Sequence, residues 1–119
     1  LNLSRARVER RVSTLPEAEV RSAPAGSAFI VLTHDHALDF LVTGEALART
    51  DAVWVGMIGS ATKKAKFTSF ARAEWPALAT DDLNCPIGAT RSRDKRPSVI
   101  AAAVVSAVIT AITCDTTIR

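Results

Sequence analysis

The residues best suited to chemistry begin with the stretch from Thr33 to His36, which follows an apolar run. His34 and His36 carry imidazoles that titrate near neutral pH, and Asp35 places a carboxylate between them. Two histidines and one carboxylate make an incomplete metal shell. We therefore interpret the stretch as a helix cap, in which Thr33, Asp35 and Asp39 satisfy backbone N–H groups. Direct contact between a ligand and the imidazoles is the alternative.

A second candidate stretch contains Gly56, Gly59 and Ser60 and is followed by Lys63 and Lys64. Glycines in a turn after a strand let the backbone bend tightly and approach a ligand. Ser60 can cap the next helix, whose free N–H groups and dipole attract an anion, and Lys63 adds positive charge. The spacing matches neither a dinucleotide fingerprint nor a phosphate-binding P-loop. A glycine turn that serves geometry alone is the alternative.

The third candidate is Cys85, in a loop that ends at Gly88. Cations at Arg91, Arg93 or Lys95 would lower the pKa of this thiol and make it a reactive thiolate. The second interpretation, which the sequence favours, is a small residue buried in a turn.

Composition limits the classes of function. The 119 residues suffice for one domain, 1–119, and a hydrophobic content of 48% predicts a globular core. A net charge of +3 is too small to indicate nucleic-acid binding. The two cysteines have neither a CxxC nor a zinc spacing, which indicates a reduced, cytoplasmic protein. No signal peptide is visible, and the apolar run over 99–112 is shorter than the roughly 20 residues of a membrane span.

Apolar periodicity predicts the elements that position the candidate residues. Residues 29–32 form a continuous apolar run, which is typical of a strand buried on both faces. A helix is predicted over 37–49 with Asp39 facing water, then a strand over 52–55 and a helix over 61–75. This alternation indicates parallel strands with right-handed crossovers. Because ligands bind beyond the carboxyl ends of such strands, we expect the candidate stretches to share one rim.

The remaining segments have weaker patterns. Residues 1–17 have no clear period and are expected to be irregular or to form a short basic helix that ends before Pro16. A short strand is expected at 18–21 and a short helix at 77–83. A long buried helix is predicted to start at Pro97, because proline is well tolerated as the first residue of a helix.

Three segments together resemble a known family. The strings "VLTHDHALD", "WVGMIGSATKKAKF" and "NCPIG…RPSVIA" occur in the order and spacing of the C-terminal domain of the XdhC/CoxI family, the xanthine dehydrogenase accessory proteins. The resemblance covers roughly residues 18–112. It implies an α/β, Rossmann-like three-layer fold with a parallel sheet. The glycine-rich strand–turn–helix that begins this domain in the family is not seen, so we expect a fold that is incomplete at the N-terminal side.

The resemblance also implies a function. Family members bind the molybdenum cofactor, a molybdopterin with an anionic phosphate, and assist the maturation of molybdenum hydroxylases such as xanthine dehydrogenase. The expected partners are the hydroxylase apoenzyme and a cysteine desulfurase, and the expected role is that of an accessory protein or chaperone. The phosphate would lie over Gly59 and Ser60, with Cys85 near molybdenum or the transferred sulfur. The predicted cofactor-binding residues are Thr33, His34, Asp35, His36, Gly56, Gly59, Ser60, Lys63, Cys85 and Gly88.

Two other functions stay open at this point. A Rossmann-like order also suits part of an NAD(P)-dependent oxidoreductase, although the dinucleotide fingerprint is not seen. The chain could instead be a protein-interaction module that binds no ligand and docks through its basic faces. An open sheet edge would in addition favour a homodimer.

Overall fold

The computed structural model describes residues 7–87 and 96–118 of the 119-residue chain, with side chains as far as residue 113. Helices alternate with strands over residues 16–74, and a further helix follows. The elements are α1 (Pro16–Ser22), β1 (Ala28–Val31), α2 (His36–Ala48), β2 (Trp54–Met57), α3 (Ala61–Glu74) and α4 (Pro97–Ile118). The expected α/β order is confirmed, and α4 begins at the predicted proline. The prediction that this helix is buried was wrong, because among its side chains up to residue 113 only Val104 is buried.

The two strands form a parallel sheet, with Ala28 paired to Trp54 and Val31 paired to Met57. A single residue extends this sheet on the far side of β2. Asn84 donates its N–H to Val55 O at 3.0 Å and accepts from Met57 N–H at 3.1 Å. The predicted loop after residue 83 therefore starts with one residue of parallel pairing, and three chain segments reach the same edge of the sheet.

Side-chain caps explain where α2 and α3 begin. The Asp35 carboxylate accepts from Ala37 N–H at 2.8 Å, and Ser60 Oγ accepts from Lys63 N–H at 3.2 Å. Each cap satisfies one of the N–H groups that a helix start leaves without a partner. Both residues were predicted as caps, and both caps are confirmed.

Residues 7–15 are irregular, as one of the two expectations for the N-terminal segment held, whereas the predicted basic helix before Pro16, the strand at 18–21 and the helix at 77–83 were wrong. Pro16 starts α1 instead of ending a helix, so residues 18–21 are helical and not extended. The fixed φ of proline suits the first helical position, and Glu17 and Glu19 in the first turn complement the helix dipole. Residues 77–83 form turns without a helix.

The core lies mainly between the sheet and the pair α2 and α3. Phe67 of α3 and Met57 of β2 are completely buried there. The buried cluster consists of Val20, Val31, Ala46, Val55, Met57, Phe67, Ala71, Leu83 and Cys85. Because side chains alternate along a strand, Trp54 points to the other face of β2. Trp54 and Val104 are buried outside this cluster, which fits the contact of α4 with β2 and makes three layers.

The sequence predicted that β1 is buried on both faces, but one of its faces is exposed. Ile30 is 50% exposed, and Leu32, directly after the strand, is 69% exposed. These side chains share the face of the sheet that carries Trp54, where α4 lies against β2. Val31, on the opposite face, is buried. The continuous apolar run over 29–32 therefore belongs to a strand that is fully covered on only one face.

None of the helices within the described residues has the length and apolar character that crossing a membrane requires.

Candidate functional site

The turns that follow β1 and β2 are neighbours at the carboxyl edge of the sheet. Ile58 N–H donates to Val31 O at 3.0 Å, which joins the two strand ends directly. Cys85, directly after the paired Asn84, reaches the same place: its thiol lies 3.5 Å from Gly59 O and 3.6 Å from Ser60 O. The three candidate stretches therefore meet at one rim, as parallel strand ends should.

A buried ion pair that sequence analysis missed lies between these turns. Asp39 of α2 accepts from Thr33 N–H at 2.8 Å and from Lys63 Nζ at 2.6 Å. Its side chain is 0% exposed, and that of Lys63 is 13% exposed. The expectation that Asp39 faces water was wrong, because its carboxylate points inward to the turn after β1. The predicted role of Asp39 in satisfying a backbone N–H near the start of α2 is confirmed by the bond from Thr33, whereas no signal in the sequence pointed to its pairing with Lys63.

Gly59 makes this ion pair possible. Lys63 bends back toward the rim, where its Nζ also donates to Ile58 O at 2.9 Å. A Cβ at position 59 would collide with the aliphatic stem of Lys63. Gly59 therefore leaves room for the Lys63 side chain. The sequence had predicted only that this glycine lets the backbone approach a ligand.

Positive charge at the rim comes from Lys64 more than from Lys63. Since Asp39 neutralises the Lys63 ammonium, that side chain adds little net charge. The half-buried Lys64 makes no ion pair with any residue the structure describes. The backbone N–H groups of residues 59–62 likewise donate to no described residue, so they and Lys64 are the rim's free groups with affinity for an anion.

Gly56 belongs to β2 and not to the turn in which it was predicted. It is buried, and a side chain there would collide with the indole of Trp54 and with Ile87 Cδ1. The glycine thus lets a tryptophan lie flat against its own strand. The prediction that Gly56 lies in a ligand-binding turn was therefore wrong. This position needs a glycine because Trp54 and Ile87 fill the space beside it.

The turn from Thr33 to His36 forms a compact capping structure. Thr33 Oγ1 donates to Asp35 O at 2.8 Å and accepts from Asp35 N–H at 3.1 Å. His34 and His36 are exposed. Within 7–87 and 96–113, no group of three or more His, Cys, Asp or Glu side chains is placed to hold a metal ion. The imidazoles are therefore available at the rim for contact with a ligand.

Cys85 is buried, as the second interpretation of this residue expected. Burial raises the pKa of its thiol, and the charges of Lys63 and Lys64 offset this only in part. Among the described residues desolvation therefore outweighs the nearby cations, as the favoured interpretation of a buried turn residue expects. The reactive thiolate depended on cations later in the loop and stays a prediction. The predicted activators Arg91, Arg93 and Lys95, and the candidate Gly88, lie outside the described residues.

A cavity of about 600 Å³ lies at the opposite, amino end of β2. Its wall includes Trp54, Asn84 and Arg49. Arg49 is saturated with acceptors: its donors bond the carboxylate of Asp51 and the backbone carbonyls of Val20, Ala23 and Pro24. This guanidinium ties α1 to the end of α2 and is not free for a ligand, so the cavity is separate from the predicted site.

Comparison with known proteins gives one result. A family model described as the XdhC Rossmann domain matches residues 3–108. Neither the curated proteins nor the solved structures contain a match to this chain.

Proposed function

The chain belongs to the XdhC family, and we propose that its domain holds the molybdenum cofactor by the cofactor's phosphate during maturation of a xanthine dehydrogenase-type hydroxylase. The family match over 106 of 119 residues (3–108) is the observation that carries this proposal. The proposed place of action is the cytoplasm, and the proposed partners are the apoenzyme and a cysteine desulfurase. When bound, the cofactor supplies the molybdenum centre of the client enzyme.

The groups at the rim fit the phosphate of such a ligand. The N–H groups in the first turn of α3 point out of the N-terminal end of the helix and have no partner in the described chain. The positive end of the helix dipole lies at the same place, so both favour an anion there. Lys64 contributes a cation that no carboxylate of the described residues pairs with. Ser60 stays at the helix start as the cap and positions these N–H groups.

The buried carboxylate does not oppose an anion at this place. Asp39 is paired with Lys63, so the pair presents almost no net charge to the rim. The exposed imidazoles of His34 and His36 lie at the end of the neighbouring turn. They supply donors for the polar part of a pterin, whereas the buried Cys85 thiol lies against the turn after β2.

A binding measurement with isolated molybdenum cofactor tests this function. We expect Ser60→Asp to weaken binding at least tenfold, because it places a negative charge at the phosphate position while aspartate still caps α3. Ser69→Asp, on the exposed surface of the same helix, is the matched control and should bind like wild type. Equal affinity for wild type and Ser60→Asp would remove the assigned site, and no binding by wild type would remove the function.

A further inference from the structure

The Lys63 ammonium lies beside the groups that are proposed to hold a phosphate. Its aliphatic stem passes Gly59 so closely that a Cβ there would collide with it, and its Nζ donates to Ile58 O at 2.9 Å. The N–H groups of residues 59–62, which donate to no described residue, begin at the next residue of the chain. A free ammonium in this position would attract an anion bound to these N–H groups.

Asp39 cancels this attraction. Its Oδ2 accepts from Lys63 Nζ at 2.6 Å, and its Oδ1 accepts from Thr33 N–H at 2.8 Å. The backbone of the turn after β1 therefore holds the carboxylate in place, and its burial keeps it from turning to solvent. The pair adds little net charge to the rim.

Stability alone does not explain the negative charge at position 39. A buried ion pair often stabilises a fold no more than apolar side chains of the same size, because both charges lose their hydration. The bond from Thr33 N–H requires only an acceptor, which the amide oxygen of an asparagine would also provide. The distinctive effect of the carboxylate is thus that it neutralises Lys63.

We propose that Asp39 limits the affinity of the rim for anions by pairing with a lysine that would otherwise act on the bound phosphate. This inference rests on the phosphate site of the proposed function and adds the residue that sets its strength. A protein that holds a cofactor during maturation also has to release it. Because affinity differences between related complexes lie mostly in the rate of dissociation, a second free cation at the rim would slow that release.

Titration with inorganic phosphate at low ionic strength tests the proposal, with the backbone amide NMR signals of residues 59–62 as the readout. We expect Asp39→Asn to bind phosphate about tenfold more tightly than wild type, because it keeps an acceptor for Thr33 N–H and leaves Lys63 without its counter-charge. The double variant Asp39→Asn, Lys63→Met removes both charges of the pair and should bind like wild type.

Asp82→Asn is the matched control. It makes the same change in net charge at the cavity by the amino end of β2, away from the rim, and should bind like wild type. Unchanged or weaker phosphate binding by Asp39→Asn would overturn the proposal, as would the absence of phosphate binding in both proteins. If the spectrum shows that Asp39→Asn is unfolded, the double variant decides. Wild-type affinity supports the proposal, whereas a severalfold loss would show that Lys63 holds the anion directly and would overturn it.

Isolated molybdenum cofactor as a second ligand separates this inference from the proposed function. If phosphate binding follows the expected order but wild type does not bind the cofactor, the proposed function fails and the role of Asp39 stands. If the cofactor binds wild type and Asp39→Asn with equal affinity, the role of Asp39 fails and the proposed function stands.

Discussion

Lys63 Nζ lies 2.6 Å from Asp39 Oδ2, and this bond joins the start of α3 to the start of α2. The same carboxylate accepts from Thr33 N–H in the turn after β1. One buried ion pair therefore holds both turns of the candidate site in place, and it leaves the site without the charge that Lys63 was expected to provide.

The ion pair predicts strong coupling in a double-mutant cycle. Lys63→Met should lower the free energy of unfolding by about 3–5 kcal/mol, because it leaves a buried carboxylate without its cation. Asp39→Asn should also destabilise the protein, and the double variant should lose clearly less than the sum of the two. Urea unfolding measures all four proteins.

Arg21→Met provides the control for this cycle. It removes the partly exposed ion pair with Glu45 and should cost less than about 1 kcal/mol. Additive losses at Asp39 and Lys63 would contradict the pairing.

The Arg49–Asp51 contact predicts a loss of stability in acid. The hydrogen bond from Arg49 lowers the pKa of Asp51 below its ordinary value of 3.8. A lowered folded-state pKa contributes stability above the unfolded pKa, and this stability is lost as the pH falls through the folded-state value. Wild type should therefore lose stability below about pH 4, and part of that loss should be missing in Asp51→Asn.

The measurement is the urea midpoint as a function of pH. Asp82→Asn, which changes an exposed carboxylate without an ion pair in the described chain, should follow the wild-type curve. If Asp51→Asn also follows it, the contact with Arg49 does not contribute to acid stability.

The burial of Cys85 predicts a slow thiol. In a Cys114→Ser background, alkylation of the folded protein at neutral pH should be much slower than that of the urea-unfolded chain, because the thiol is buried and its pKa is raised. The pH at half-maximal rate should lie above that of the unfolded chain. Lys64→Gln should raise it further, since Lys64 lowers this pKa. Fast labelling of the folded protein at neutral pH would contradict this account.

Local features of the site could be predicted because they depend on residue type and spacing. Asp35 and Ser60 each precede an amphipathic or charged helical segment, and a side-chain oxygen at that position caps the helix in almost any context. The shared rim followed from the parallel alternation of strands and helices. Pro16 shows the limit of such reasoning, since proline both ends and begins helices.

The sequence alone determined the alternation of strands and helices from β1 to α3, the two caps, the meeting of the candidate turns and the resemblance to the XdhC family, because local periodicity and motif strings carry that information. The tertiary structure decided that Asp39 neutralises Lys63, that Gly56 accommodates Trp54, and that Ile30 and Leu32 stay exposed. Each of these depends on which distant segments come into contact. A lysine has the same letter whether its charge is free or paired, and only the position of a carboxylate 24 residues away distinguishes the two.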